Sequence, residues 1–150
     1  MSPDDDRREA VDQRSSHGRG SSVPRVDVRF GRAGRDHSPG DLLSLEYDCG
    51  HVGDDVPRAI ERSVLWYTEG KGEEDLGVHF FDRHAAPADL SGVLPEGRLE
   101  VRLPPTPLSY EGVIVKIRWC VRIRLFFDSG RDHVSEHVFM VGAVPPSVLP

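Results

Sequence analysis

At 150 residues, with 25 acidic and 19 basic side chains and a net charge of −6, the chain has the size of one domain with a tail. That acidic balance argues against general nucleic-acid binding, which favours a basic surface, and no apolar run approaches the ~20 residues of a membrane-spanning helix. The charged N-terminus holds no signal-peptide apolar stretch, so the expectation is a soluble, cytoplasmic protein.

Residues 1–23 hold almost no large apolar side chains. Charge, Ser and Gly dominate, and such a segment cannot offset its own ordering entropy. The composition predicts a disordered N-terminal tail over 1–23, a folded domain over 24–145 and a short extended tail over 146–150.

Alternation begins near Arg25. In RVDVRF, Val26, Val28 and Phe30 alternate with Arg25, Asp27 and Arg29, which reads as a first strand. A Gly-rich loop follows, and DLLSLEYDC then places Leu43, Leu45 and Tyr47 on one face of a second strand. AIERSVLWYTE opposes Val64, Trp66 and Thr68 to Leu65 and Tyr67; its β-branched and aromatic content favours a strand over a short helix. LGVHFFD is a short strand, and the loop RHAAPADLSGVLPEG has room for one helical turn. RLEVRLP points Leu99, Val101 and Leu103 inward. PPTPLSYEG is a proline-fixed corner, because Pro104, Pro105 and Pro107 prevent continuation of a helix or ladder.

The corner leads into the longest signal in the chain, GVIVKIRWCVRIRLFF over 112–127. Val113, Val115, Ile117, Trp119, Val121, Ile123, Leu125 and Phe127 are all apolar, while Lys116, Arg118, Cys120, Arg122 and Arg124 alternate with them. Period two over this length predicts one apolar and one basic strand face. Fifteen extended residues would span roughly 50 Å at ~3.3 Å each, so a bend or bulge is expected within the strand. DSGRD is a tight turn, and HVSEHVFMVG returns as a hairpin partner. About seven strands, Gly- and Pro-rich turns and no long helix give an all-β, antiparallel, immunoglobulin-like sandwich.

The segment LPPTPLSYEGVIVKIRWCVRIRL, 103–125, resembles the arrestin superfamily. In that family a proline-containing strand end leads through Ser, an aromatic residue, a polar residue and Gly into a long alternating strand; here these are Pro107, Ser109, Tyr110, Glu111 and Gly112. The entry SPGDLLSLEY, 38–47, is similar to the family's Pro-Gly-Asp strand entry, with Ser44 where a Gly is common. The resemblance implies one arrestin-like sandwich and a role in holding partner proteins. Full arrestins have two sandwiches, so two-lobed receptor binding is not carried over. Independently of the family, Gly112 permits a close approach or a positive φ, and Tyr110 stands where many sandwiches place a tyrosine that hydrogen-bonds across a corner.

Chemistry-bearing patterns are sparse. A core disulfide would need Cys120 on the apolar face, yet it shares parity with Arg118 and Arg122. Cys49 and His51 lack the Cys–His–Met cluster of a blue-copper site. His133 and His137, four apart on a strand, lie ~13 Å apart, too far to share one ion. No G-x-S-x-G, P-loop or H-E-x-x-H is present, and Ser109 has no assignable base. The reading is therefore not an enzyme, with no cofactor and no metal. Lys116, Arg118, Arg122 and Arg124 are the candidate binding residues. Either they form a solvated sheet face with acidic cross-strand partners, or they dock an acidic or phosphorylated peptide, a phosphate or an anionic membrane. The leading expectation is a protein-interaction module of adaptor or scaffold type, using a sheet edge, loops or this basic face. The alternative is an accessory, regulatory or small-ligand-binding sandwich in an enzyme or defence complex.

Overall fold

A computed structural model describes residues 24–31, 34–50 and 54–142. The tails expected at 1–23 and 146–150 lie outside them, as does His51. Among the described residues, nine strands and one helical turn follow in order: β1 Val26–Phe30, β2 Asp36–His37, β3 Leu42–Cys49, β4 Pro57–Gly70, β5 Leu76–His84, α1 Pro87–Leu90, β6 Glu96–Arg102, β7 Tyr110–Glu111, β8 Val115–Phe127 and β9 Asp132–Val141. They form two sheets, one of order β1-β3-β6 and one of order β2-β9-β8-β4-β5 with β7 also paired to β8. The pairs are antiparallel except β2–β9, which is parallel. The chain is thus an all-β sandwich, and each of the seven alternating segments is a strand. The two extra strands are two residues long, too short for alternation to register.

The core lies between the sheets. Leu43, Leu45, Tyr47, Leu99 and Val101 on the smaller sheet meet Ile60, Val64, Trp119, Val121, Ile123, Leu125, Phe127, Phe139 and Val141 on the larger. β8 behaves as its alternation predicts from Trp119 onward. Toward its start, Val115 and Ile117 are only half-buried, and Val113 lies before the strand and is 98% exposed. β8 is longer than β3, thirteen residues against eight, and Val113 lies outside it in the connection from β7. The expected bend in β8 is displaced too. β8 pairs with β4 without interruption from Val115 to Phe126, and the irregularities fall on its neighbours, at Arg58 of β4 opposite the end of β8 and at His79 of β5 between the pairs Val64↔Phe80 and Leu65↔Val78.

The corner before β8 is tied by Ser109 rather than Tyr110. Ser109 N donates to Val141 O at 2.8 Å, and Val141 N donates back to Ser109 Oγ at 2.8 Å. Tyr110 instead lays its ring against Gly112, where an added Cβ would lie 2.3 Å from the ring. Gly112 is therefore required by close approach. The sequence-expected hairpin of β8 and β9 is present: Phe127 N donates to Arg131 O at 2.9 Å, and Gly130 takes φ +89° in the turn.

Candidate functional site

The outer face of the larger sheet carries all four candidate cations, and each has an acidic neighbour. Lys116 Nζ lies 3.7 Å from Glu111, Arg118 Nε 2.9 Å from Glu69, Arg122 Nη2 2.8 Å from Glu136 and Arg124 Nη2 2.7 Å from Asp132. Lys116 and Arg122 face their acids directly in the registers Glu111↔Lys116 and Arg122↔Glu136, and Arg118 and Arg124 reach theirs diagonally. Hydrogen bonding to Glu69, aided by the charge of Glu111, holds the Arg118 guanidinium above its ordinary pKa. Arg83 pairs with Glu61 at 2.7 Å, and Arg83 and Arg124 stand over the Phe126 ring at 4.7 and 4.8 Å. The stripe is a ladder of mixed sign in which a ligand's acid would have to displace a resident one.

Next to this ladder, β5 ends the sheet. Its Leu76, Val78 and Phe81 are 53%, 55% and 56% exposed. Val78 and Phe81 border a shallow cleft of about 410 Å³ on the outer face, floored by Ser63 and Leu65 and closed on its far side by Arg122 and Val134. Apolar surface, a free strand edge and charged residues thus adjoin. Leu65 and Cys120, opposite one another in register, are fully buried although their parity places them on this outer face.

Between the sheets lies a polar cluster that the sequence reading missed. Arg62 on β4 donates through Nε to Asp82 Oδ1 at 3.0 Å and through Nη2 to Asp82 Oδ2, and reaches across to Arg98 O on β6 at 2.9 Å. His84 Nε2 lies 3.1 Å from Asp82 Oδ2, and Tyr47 Oη donates to Val93 O at 2.7 Å. Burial pushes the Asp82 carboxyl up, but the bonds from Arg62 and His84 outweigh it, and its pKa falls below the ordinary value. The available signal was parity: Arg62 alternates in phase with Ile60 and Val64, so it had to point inward. On β9, Ser135 Oγ lies 2.6 Å from His137 Nε2, and burial lowers the pKa of that imidazole.

Among the described residues no three His, Cys, Asp or Glu side chains converge on a common point. Cys49 on β3 and Cys120 on β8 are free and buried on different sheets, and burial pushes both thiols up to about 12. Among those residues, no helix is long and apolar enough to cross a membrane.

No family model matches the chain, and no curated protein matches it. Solved structures do. One is Spo0M, a sporulation control protein from Bacillus subtilis, at 14% identity and a TM-score of 0.50, over 79% of this chain and 49% of that one. The chain therefore spans about half the length of Spo0M. Others are superoxide reductase (neelaredoxin) from Ignicoccus hospitalis, at 9% identity and TM-score 0.45, over 79% and 80% of the two chains, and a variant of that same reductase at 9% and 0.46. The likeness to Spo0M shows a β-sandwich fold, and the finer arrestin resemblance stays a matter of the 103–125 segment. The solved structures also correct one expectation. The residues alone read as those of a chain that is not an enzyme, yet an enzyme is among the solved structures it is similar to, so the exclusion of catalysis is withdrawn.

Proposed function

We propose that the chain is a protein-interaction module of adaptor or scaffold type that takes an extended segment of a partner along β5. The observation that carries this reading is the edge itself: β5 ends the larger sheet and exposes Leu76, Val78 and Phe81 along nine residues. Soluble proteins blunt their free edges because an unpaired ladder with apolar side chains recruits another strand. Strand addition would satisfy the main-chain groups, and alternate side chains of the segment would pack beside the exposed Leu76, Val78 and Phe81. Arg122 and Arg124 lie on β8, two strands in from that edge, so an acidic or phosphorylated side chain would compete there with Glu136 and Asp132 only from a segment lying over the outer face. The arrestin-like corner at 103–125 supports the same class of role, and free buried thiols suit a reducing, cytoplasmic setting.

The test is selection of random extended peptides on the full chain, followed by hydrogen exchange of the complex. Enriched peptides should alternate apolar residues and should protect β5 amides. Val78→Lys with Phe81→Lys should abolish the selection while leaving the melting temperature within a few degrees. Protection confined to other elements would refute the edge reading.

A further inference from the structure

The turn between β7 and β8 has the residues least suited to a turn at its most exposed point. Glu111 pairs with Lys116, and Gly112 N donates to Val115 O at 3.1 Å, so the connection is a two-residue hairpin whose loop is Val113 and Ile114. Such loops favour Asn-Gly, Asp-Gly or Gly at positive φ. Here both positions are β-branched, no described non-glycine residue has positive φ, and the two side chains are 98% and 70% exposed. Polar residues would fill this turn at lower free energy, and local rules are broken most often where a site requires it.

The tip is also held in place. Lys71 N donates to Ile114 O at 3.2 Å, and a Cβ at Gly70 would lie 2.1 Å from that same oxygen, so the β4–β5 turn packs backbone to backbone against it. That turn brings acids. Glu73, Glu74 and Asp75 are exposed and form no ion pair among the described residues, against the single cation Lys71. Glu69 and Glu111, at the base of the tip, are engaged by Lys116 and Arg118. The surround is net acidic, which opposes docking on an anionic lipid surface.

We propose that Val113 and Ile114 form a docking tip that inserts into an apolar pocket of a partner protein rimmed by Lys and Arg side chains, which face Glu73, Glu74 and Asp75. This surface is separate from the β5 edge, and each can fail without the other. The experiment places the photoreactive residue p-benzoylphenylalanine at position 113 of the full chain in its native cells. After irradiation, mass spectrometry maps the adduct, with position 78 crosslinked in parallel to read the edge. The expected result is an adduct at 113 to a protein peptide lining an apolar pocket bordered by Lys or Arg. The purified pair should then lose at least about tenfold in affinity with Val113→Ser plus Ile114→Ser, and again with Glu73→Lys plus Glu74→Lys, at unchanged melting temperature. An adduct to lipid only, to a second copy of the chain only, or to a pocket with an acidic rim would overturn the proposal. So would no adduct, or affinity untouched by the tip variants.

Discussion

Arg62 on β4 and Asp82 on β5 form a two-point ion pair inside the open edge of the sandwich, and the same guanidinium reaches the backbone of β6 on the opposite sheet. Arg62 is 7% exposed, so its charge is compensated by the protein rather than by water. One side chain therefore ties the two sheets together.

Removing that clamp strands a carboxylate between the sheets. Arg62→Ala should destabilise the fold by about 1–3 kcal/mol, because the Asp82 carboxylate left behind is partly exposed and keeps His84 at 3.1 Å. The check is the midpoint of urea unfolding at constant m. The pair also makes stability acid-sensitive. Asp82 has a depressed pKa, so its contribution is present above the unfolded carboxyl value of about 3.9 and is lost as pH falls through the folded value. Asp82→Asn should flatten the decline in melting temperature below about pH 4; an unchanged decline would assign it to other carboxylates.

Alternation made the strands legible because one side of each sheet faces apolar side chains and the other faces water. Leu43, Leu45 and Tyr47, or Trp119 through Phe127, announce their faces by parity alone. Two kinds of information were not local. How far the smaller sheet covers β8 depends on strands far away in the chain, so Ile117 did not follow Trp119 into the core, and Val113 falls in the β7–β8 turn, which alternation does not mark. The partners of the basic stripe lie on β4, β7 and β9, and a run of cations on one strand does not reveal the Glu69, Glu111 and Glu136 beside it. Arg62 was legible by phase, but its acceptor Asp82 is twenty residues on and required the β4–β5 register.

Trp119 is fully buried and its Nε1 donates to Pro107 O at 2.8 Å, joining the proline corner to the core. Trp119→Ala should cost about 3–5 kcal/mol. Trp119→Phe keeps an aromatic contact with Phe139 but leaves the Pro107 carbonyl without its donor, and should cost about 1–3 kcal/mol. Equal losses in the two variants would mean that the hydrogen bond, rather than the volume, dominates. Thermal unfolding of both proteins decides it.

Cys49 and Cys120 should be inert in the native state. With thiols pushed up to about 12, little thiolate exists near neutral pH, and a chromogenic disulfide reagent at about pH 8 should label two thiols rapidly only after denaturation. The same shift makes the fold alkali-sensitive. A raised folded pKa gives stability that is complete below the unfolded thiol value of about 8.5 and declines as pH rises toward the folded one, by up to about 1.4 kcal/mol per pH unit per thiol. Cys49→Ala with Cys120→Ala should reduce the slope of melting temperature against pH between about 9 and 11. Rapid native labelling, or no thiols after denaturation, would contradict the burial assigned to them.

The basic stripe makes a prediction that depends on its partners rather than on its own charge. Arg122 faces Glu136 at 2.8 Å on a half-exposed surface, where such a pair is worth about 0–1 kcal/mol. Arg122→Ala should therefore move stability by less than about 1 kcal/mol. Arg122→Glu is a different perturbation, because it sets two carboxylates opposite one another in register, and like charges in that position repel. It should cost more than the alanine variant, and the cost should shrink as salt is raised, since screening acts over about 8 Å at physiological ionic strength. Adding Glu136→Arg to Arg122→Glu restores a pair of opposite charges and should recover most of the loss. A double-mutant cycle in urea, run at low and at physiological salt, measures the coupling directly. Coupling near zero at both salts would mean that Arg122 is free to meet a ligand's acid without releasing Glu136. A coupling of about 1 kcal/mol would mean that any acidic partner entering the cleft beside Leu65 must first displace that carboxylate, which favours a doubly charged phosphate over a single carboxylate.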